Sequence, residues 1–150
     1  MHLTRYTDYA MRVLVHLGVE SDRLVSIAEI ARAYGISQNH LMKIVHDLGK
    51  AGYVASTRGR GGGVRLALPP EEINIGAVVR HTEEGFKLVD CDHCIIGPAC
   101  GLTGMVNEAL AAFLGVLDHY TLADLLRHPS ALARLLNPGN SVATAAPPLR

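Results

Sequence analysis

No run in this 150-residue sequence reaches the ~18 consecutive apolar residues that span a bilayer, so no membrane-spanning helix is expected. The opening MHLTRYTDYAMRVLVHLGVE does not read as a secretory signal, because Arg5, Asp8 and Arg12 interrupt its apolar stretches. Cysteine is scarce and odd in number. Three thiols cannot all pair within one chain, which argues against a secreted disulfide framework and for a reducing cytoplasm. Tryptophan is absent, and the formal net charge is zero. Catalytic signatures are missing too: there is no GxSxG, no HExxH and no paired-carboxylate pattern, so no enzyme is expected. The histidines His2, His16, His46, His81, His119 and His128 are scattered and form no ligand set. What remains is a chain that is 49% apolar, enough for a real core, with the length of one ordinary domain or a small domain and an extension.

The zero charge conceals an asymmetry. Residues 1–70 hold nine Lys and Arg against five Asp and Glu, and residues 71–150 hold five against nine. A basic binding half and an acidic half with another task are implied.

Apolar residues at three- and four-residue steps (Leu3, Tyr6, Ala10, Val13, Leu14, Leu17) predict a helix over 3–19. Ser26, with Glu29 three residues on, predicts a capping box and a second helix whose inner face is Ile27, Ile30, Ala31 and Tyr34, closed by Gly35. Ser37 is placed to cap a third helix with Leu41, Ile44, Val45 and Leu48 inward. Two short helices across a tight glycine turn are the sequence form of a helix-turn-helix. The runs 53–57 and 64–68, joined by Arg58-Gly-Arg-Gly-Gly-Gly63, predict a hairpin with a basic, flexible tip. Asn74 is placed to cap a helix reaching Glu84. A long helix is expected from about Thr103 to His119, then a short one through about Arg127, started by Thr121 and Asp124. The fold class is therefore mainly α with a small β-hairpin wing: a winged helix-turn-helix plus a long dimerisation helix. The expected organisation is a DNA-binding winged helix over 1–84, a cysteine loop over 85–102, helices over 103–128, and an extension over 129–150, disordered from about 137.

A helix entering the major groove must present hydrogen-bonding side chains on its first turns, as Ser37, Gln38, Asn39, His40 and Lys43 would. In the wing, Arg58 and Arg60 are set among glycines, Gly61 and Gly62 included. That allows close approach to phosphates or entry into a narrow minor groove. A nucleotide-binding glycine loop fits less well, since there is no GxxxxGKS/T and Val64 occupies a position where GxGxxG requires glycine. Cys91, Cys94 and Cys100 share one polar loop with C-x2-C-x5-C spacing, where thiolates can converge on a metal centre. Zinc would take His93 as a fourth ligand, although His93 adjoins Cys94 and joint coordination is strained. An iron–sulfur cluster would need a fourth ligand from elsewhere, another chain included. Val106, Leu110, Phe113, Leu117 and Tyr120 form a near-heptad seam, read as a homodimer interface suited to palindromic DNA.

The segments LTRYTDYAMRVLVHL, SIAEIARAYGISQNHLMKIVHDLGKAGYV, RGRGGGVRLA, the three-cysteine loop and YTLADLL together resemble the NsrR family of nitric-oxide-sensing iron–sulfur repressors, winged-helix relatives of the cluster regulator IscR. The resemblance covers Met1 to about Leu136. It implies a homodimer that holds an inverted-repeat operator while cluster-bound. Nitric oxide then reacts with the cluster and derepresses detoxification genes. It carries the cluster ligands onto Cys91, Cys94 and Cys100, and onto Asp8 of the partner subunit in members with a 4Fe–4S cluster, the form favoured here over 2Fe–2S. From its residues alone Asp8 is an ordinary solvated first-turn acid. The first cysteine pair is closer than the family's more usual spacing. Alternatives are an iron–sulfur or redox-sensing winged-helix regulator of another stimulus, a zinc-stabilised winged-helix regulator, and an iron–sulfur electron carrier or enzyme.

Overall fold

The computed structural model describes residues 2–140. Its elements run α1 (Arg5–Val19), α2 (Ile27–Tyr34), α3 (Gln38–Lys50), β1 (Val54–Thr57), β2 (Gly63–Leu66), α4 (Ile75–Thr82), α5 (Leu102–Leu117), α6 (Leu122–Leu125) and α7 (Pro129–Leu136), with short 3-10 turns at Pro70–Glu72, Gly97–Ala99 and Pro138–Asn140.

The helix starts follow local side-chain chemistry. The Thr4 hydroxyl accepts from Thr7 N–H at 3.3 Å, Ser26 from Glu29 N–H at 3.1 Å, and Asn74 Oδ1 from Ala77 N–H at 2.9 Å. Leu3, read into the first apolar stripe, lies ahead of α1 and is 39% exposed. Only half of the expected box at α2 forms. The Glu29 carboxylate accepts from Arg23 instead of reaching back to Ser26, because a guanidinium fork is the stronger donor. The Arg23 hydrogen bond also holds the Glu29 carboxyl below its ordinary range. Ser37 makes no side-chain cap, so its hydroxyl stays outside the helix. Thr121 and Asp124 do form a complete box.

One core unites the winged helix. Ala10, Val13, Leu14 and Leu17 of α1 meet Ile30 of α2 and Leu41, Ile44 and Leu48 of α3. Val54 and Val64 of the hairpin close one side. β1 and β2 pair antiparallel from Val54↔Leu66 to Thr57↔Gly63, and Val25 adds a bridge to Val64. At the tip, Gly59 (φ 100°) and Gly61 (φ 75°) take the left-handed region. A Cβ on Gly62 would lie 2.2 Å from the Thr57 carbonyl, so the turn requires glycine there.

The chain returns to this core after α5. Leu122 is fully buried in it, Leu122 N–H donates to the Ile73 carbonyl at 2.8 Å, and Ile75 N–H donates to that of Tyr120 at 3.0 Å. α6 ends at Leu125 rather than near Arg127, and a further helix, α7, follows with Pro129 in its first turn. α7 packs on α1, and beyond it Asn137 donates to Glu20 at 2.9 Å. The stretch 138–140 forms a 3-10 turn where unstructured chain was expected; the rest of that expectation lies outside the described residues.

His16 is buried at 1% exposure on the tyrosine-lined side of α1, edge-on to Tyr34, and neither ring nitrogen has a hydrogen-bond partner among the described residues. Burial lowers its pKa, with Glu29 and Glu20 partly opposing and Arg23 reinforcing. The folded state thus prefers neutral imidazole. Stability conferred above the ordinary histidine pKa is lost as pH falls through that value towards the folded one. Denaturant unfolding between pH 8 and 5 is expected to show this decline, and His16→Phe to remove its share.

Candidate nucleic-acid interface and cysteine loop

Burying Leu41, Ile44, Val45 and Leu48 turns the opposite side of α3 to solvent. Ser37, Gln38, Asn39, His40 and Lys43 are all exposed. Met42, 51% exposed, and His46 share that outward side. Residue type hides Met42, because a helical methionine reads as core; only its phase opposite Leu41, Ile44 and Leu48 marks it. On the wing Arg58, Arg60 and Gly61 are exposed and Gly62 is half-buried.

Ion pairing divides the cations. Arg12, Arg23, Arg80, Lys87 and Arg127 each pair with a carboxylate. Arg5, Lys43, Arg58 and Arg60 have no carboxylate at ion-pair distance among the described residues, and neither do Arg32, Lys50, Arg65 and Arg134. Unneutralised cations therefore stand on α1, the reading helix and the wing, among other places, as a phosphate-facing surface requires.

Behind α3, the Tyr6 hydroxyl donates to Asp47 at 2.9 Å, and His81 Nε2 lies 3.0 Å from the same carboxylate oxygen. Burial, then the hydrogen bond to Asp47 and its charge, push the Tyr6 hydroxyl up to about 12. The network ties α1, α3 and α4 together, so the reading helix is held from both neighbours.

The loop between α4 and α5 carries the thiols. Cys91 and Cys100 are half-buried and Cys94 is exposed; none is in a disulfide. Successive tight turns link them: Cys94 N–H reaches the Cys91 carbonyl, Gly97 N–H that of Cys94, and Cys100 N–H that of Gly97. The Thr103 hydroxyl donates to Cys91 Sγ at 3.2 Å. Lys87 lies 3.1 Å from Asp90 and 2.5 Å from Asp92, and its hydrogen bond lowers the Asp90 pKa. Among the described residues, no three His, Cys, Asp or Glu are gathered as a metal site. The donors fit an iron–sulfur cluster in kind, being three unpaired thiols on a turn-rich loop. His93, the fourth ligand expected for zinc, is exposed on the same loop.

Asp8 stands exposed in the first turn of α1. Its carboxylate takes both Arg12 Nε at 3.1 Å and Arg12 Nη2 at 2.8 Å, and Arg12 lies over the rings of Tyr9 and Tyr34. Glu83, just ahead of the cysteine loop, accepts from Thr4 N–H at 2.8 Å, from the Thr4 hydroxyl at 3.0 Å and from the Thr7 hydroxyl. Burial opposes its ionisation, but these hydrogen bonds hold its carboxyl below the ordinary range.

The expected dimer seam is largely used within the chain. Leu110, Phe113 and Leu117 pack with Leu114 against Ile75 and Val79 of α4 and against Phe86. Val106 is half-buried and Tyr120 is 45% exposed. The open row on α5 is instead Leu102, Met105, Ala109, Ala112 and Val116, spaced 3, 4, 3 and 4. Two apolar stripes therefore run along α5, one covered by α4 and one bare.

A winged helix with an open polar reading face and unneutralised cations, continued by a long half-bare helix, defines a DNA-binding transcription regulator. The chain belongs to the Rrf2 family, described as iron-dependent transcriptional regulators, which residues 3–128 match. It is 52% identical over 143 residues to the HTH-type transcriptional regulator NsrR of Bacillus licheniformis, covering 91% of this chain and 100% of that one. It is 51% identical to that of Bacillus subtilis, covering 91% and 97%. Among solved structures it is similar to T. potens IscR (TM-score 0.70, 27% identity, 85% and 87% covered) and to CymR, the global cysteine regulator of B. subtilis (TM-score 0.66, 26%, 83% and 95%). Among the described residues no helix is long and apolar enough to cross a membrane.

Proposed function

We propose that the chain is a homodimeric cytoplasmic repressor. It reads an inverted-repeat operator, holds an iron–sulfur cluster on Cys91, Cys94 and Cys100, and releases DNA when nitric oxide arrives. The observation that carries this reading is the clasp at Glu83. The root of the thiol loop is bonded to the first turn of α1, 79 residues away in sequence, and α1 packs directly on the reading helix. A loop that changes shape pulls on this clasp.

A cluster bound in the loop, 4Fe–4S or alternatively 2Fe–2S, supplies iron with which nitric oxide reacts. Asp8 of the partner subunit is the fourth ligand for the former. Asp8 must then leave Arg12. Their pair is about half exposed on each side, and such pairs are worth under about 1 kcal/mol, so the exchange is cheap. Ser37, Gln38 and Asn39 read bases in the major groove, and Arg58 and Arg60 bring the wing to the backbone or minor groove. The bare row Leu102, Met105, Ala109, Ala112 and Val116 pairs the protomers.

Operator binding by anaerobically purified protein tests the reading. Metal-loaded protein is expected to bind tightly, and metal-free or nitric-oxide-treated protein weakly. Asp8→Ala should blunt the response to nitric oxide. Equal affinity of loaded and metal-free protein would overturn control by the cluster. Release by an oxidant but not by nitric oxide would assign another stimulus.

A further inference from the structure

We propose that the cleft between α1 and α3 seats a phosphate of the DNA backbone, with Arg5 and Lys43 as its charged partners. This rests on the DNA-binding reading above and adds a helix to it, since α1 has no assigned role on DNA.

The cleft has a volume of about 210 Å³ and is lined by Arg5, Tyr6 and Tyr9 from α1 and by His40, Lys43 and Ile44 from α3. Tyr6, Tyr9 and Ile44 are buried or half-buried and form its inner wall; Arg5, His40 and Lys43 are exposed at its rim. Two fixed positive charges from different helices thus meet at one small opening that no acidic residue lines. The acids close by are committed elsewhere. Asp8 is paired with Arg12, and Asp47 holds Tyr6 and His81 and lines a neighbouring cavity. Among the described residues no carboxylate answers the two cations, and an anion is the ligand that would.

The position identifies the anion. Lys43 follows Asn39 by four residues on α3, so the cleft borders the polar face assigned to the major groove. A helix lying in that groove has a phosphate chain along each edge. The edge towards α1 meets Arg5 and Lys43. The Arg5 fork can take two phosphate oxygens, while Lys43 contributes a point charge, with His40 beside it. The Tyr6 hydroxyl already donates to Asp47, which leaves the contact to the cations. Backbone and base contacts then divide: Arg5 and Lys43 position the helix on any duplex, and Ser37, Gln38 and Asn39 discriminate sequence.

Binding of the full-length, anaerobically purified protein to operator and to unrelated duplex, each over a range of salt concentrations, separates these roles. Arg5→Gln and Lys43→Gln are each expected to weaken both duplexes by the same factor. Each should also flatten the slope of log K against log salt by about 0.9 per half-site. Arg5→Lys should keep the slope. Asn39→Ala should weaken the operator alone and leave the slope intact. Unchanged slopes and unchanged unrelated-duplex binding in both glutamine variants would overturn the cleft while leaving DNA binding standing. Wild-type protein that shows no salt-dependent duplex binding would overturn the DNA-binding reading itself.

Discussion

Alanine at Cys91, Cys94 or Cys100 is expected to abolish iron incorporation and to drop operator affinity by about 10³-fold or more, the lower end of the gap between specific and non-specific DNA binding. The three cysteines belong to neither hydrophobic cluster, and Cys94 is exposed, so these variants should unfold at the same temperature as metal-free wild type. That separates loss of a ligand from loss of the fold. Cys91 is the most informative of the three. Its sulfur already accepts the Thr103 hydroxyl, so Cys91→Ser tests whether an oxygen in the same place can serve. Iron and sulfide content together with visible absorbance read the outcome. Full iron loading in any one alanine variant would remove that thiol from the ligand set. Colourless protein carrying zinc would favour the structural-metal alternative.

The second large effect is expected on α5. Val116 is 57% exposed and Ala112 lies a turn earlier on the same bare row, so Val116→Glu or Ala112→Glu leaves the monomer undisturbed. In a two-fold dimer each substitution buries two like charges near each other. An uncompensated buried charge costs about 3–5 kcal/mol, so the dimer dissociation constant should rise by at least about a hundredfold. Sedimentation should find monomers, and binding should fall to that of a single half-site. Leu114→Ala is the contrast: at 9% exposure in the cluster with Ile75 and Val79, it should lower thermal stability and leave dimerisation largely intact. A glutamate variant that stays dimeric would move the interface off this row.

Much of this architecture is readable from spacing. Thr121 and Asp124 announce a helix start because the capping geometry is local to four residues. Ile30, Leu41, Ile44 and Leu48 announce an inner face because a helix repeats locally too. What escapes reading is set by distant partners. On α5 the apolar residues satisfy two stripes at once, and only contact with Ile75 and Val79 decides that Leu110, Phe113 and Leu117 are internal. Glu29 fits a capping box in sequence, yet it faces Arg23 in space. Arg5 reads as one charge among many, because neither its lack of an ion-pair partner among the described residues nor its place across a cleft from α3 is a local property. The thiol loop is legible as a donor set. Its assembly is not, because among the described residues no three His, Cys, Asp or Glu side chains come together.

The burial of Leu122 has a further consequence. The chain leaves the winged-helix core at Thr82 and re-enters it at Leu122, where the backbone of Ile73 receives it. The thiol loop and α5 are therefore an excursion spliced into a folding unit rather than an appendage hung from its end. An appendage can swing without consequence. An excursion clamped at both ends, by Glu83 on α1 and by Asn74 on the carbonyl of Asp118, has a fixed span to cover. Any shortening or lengthening of the loop must be taken up by the core that carries the reading helix.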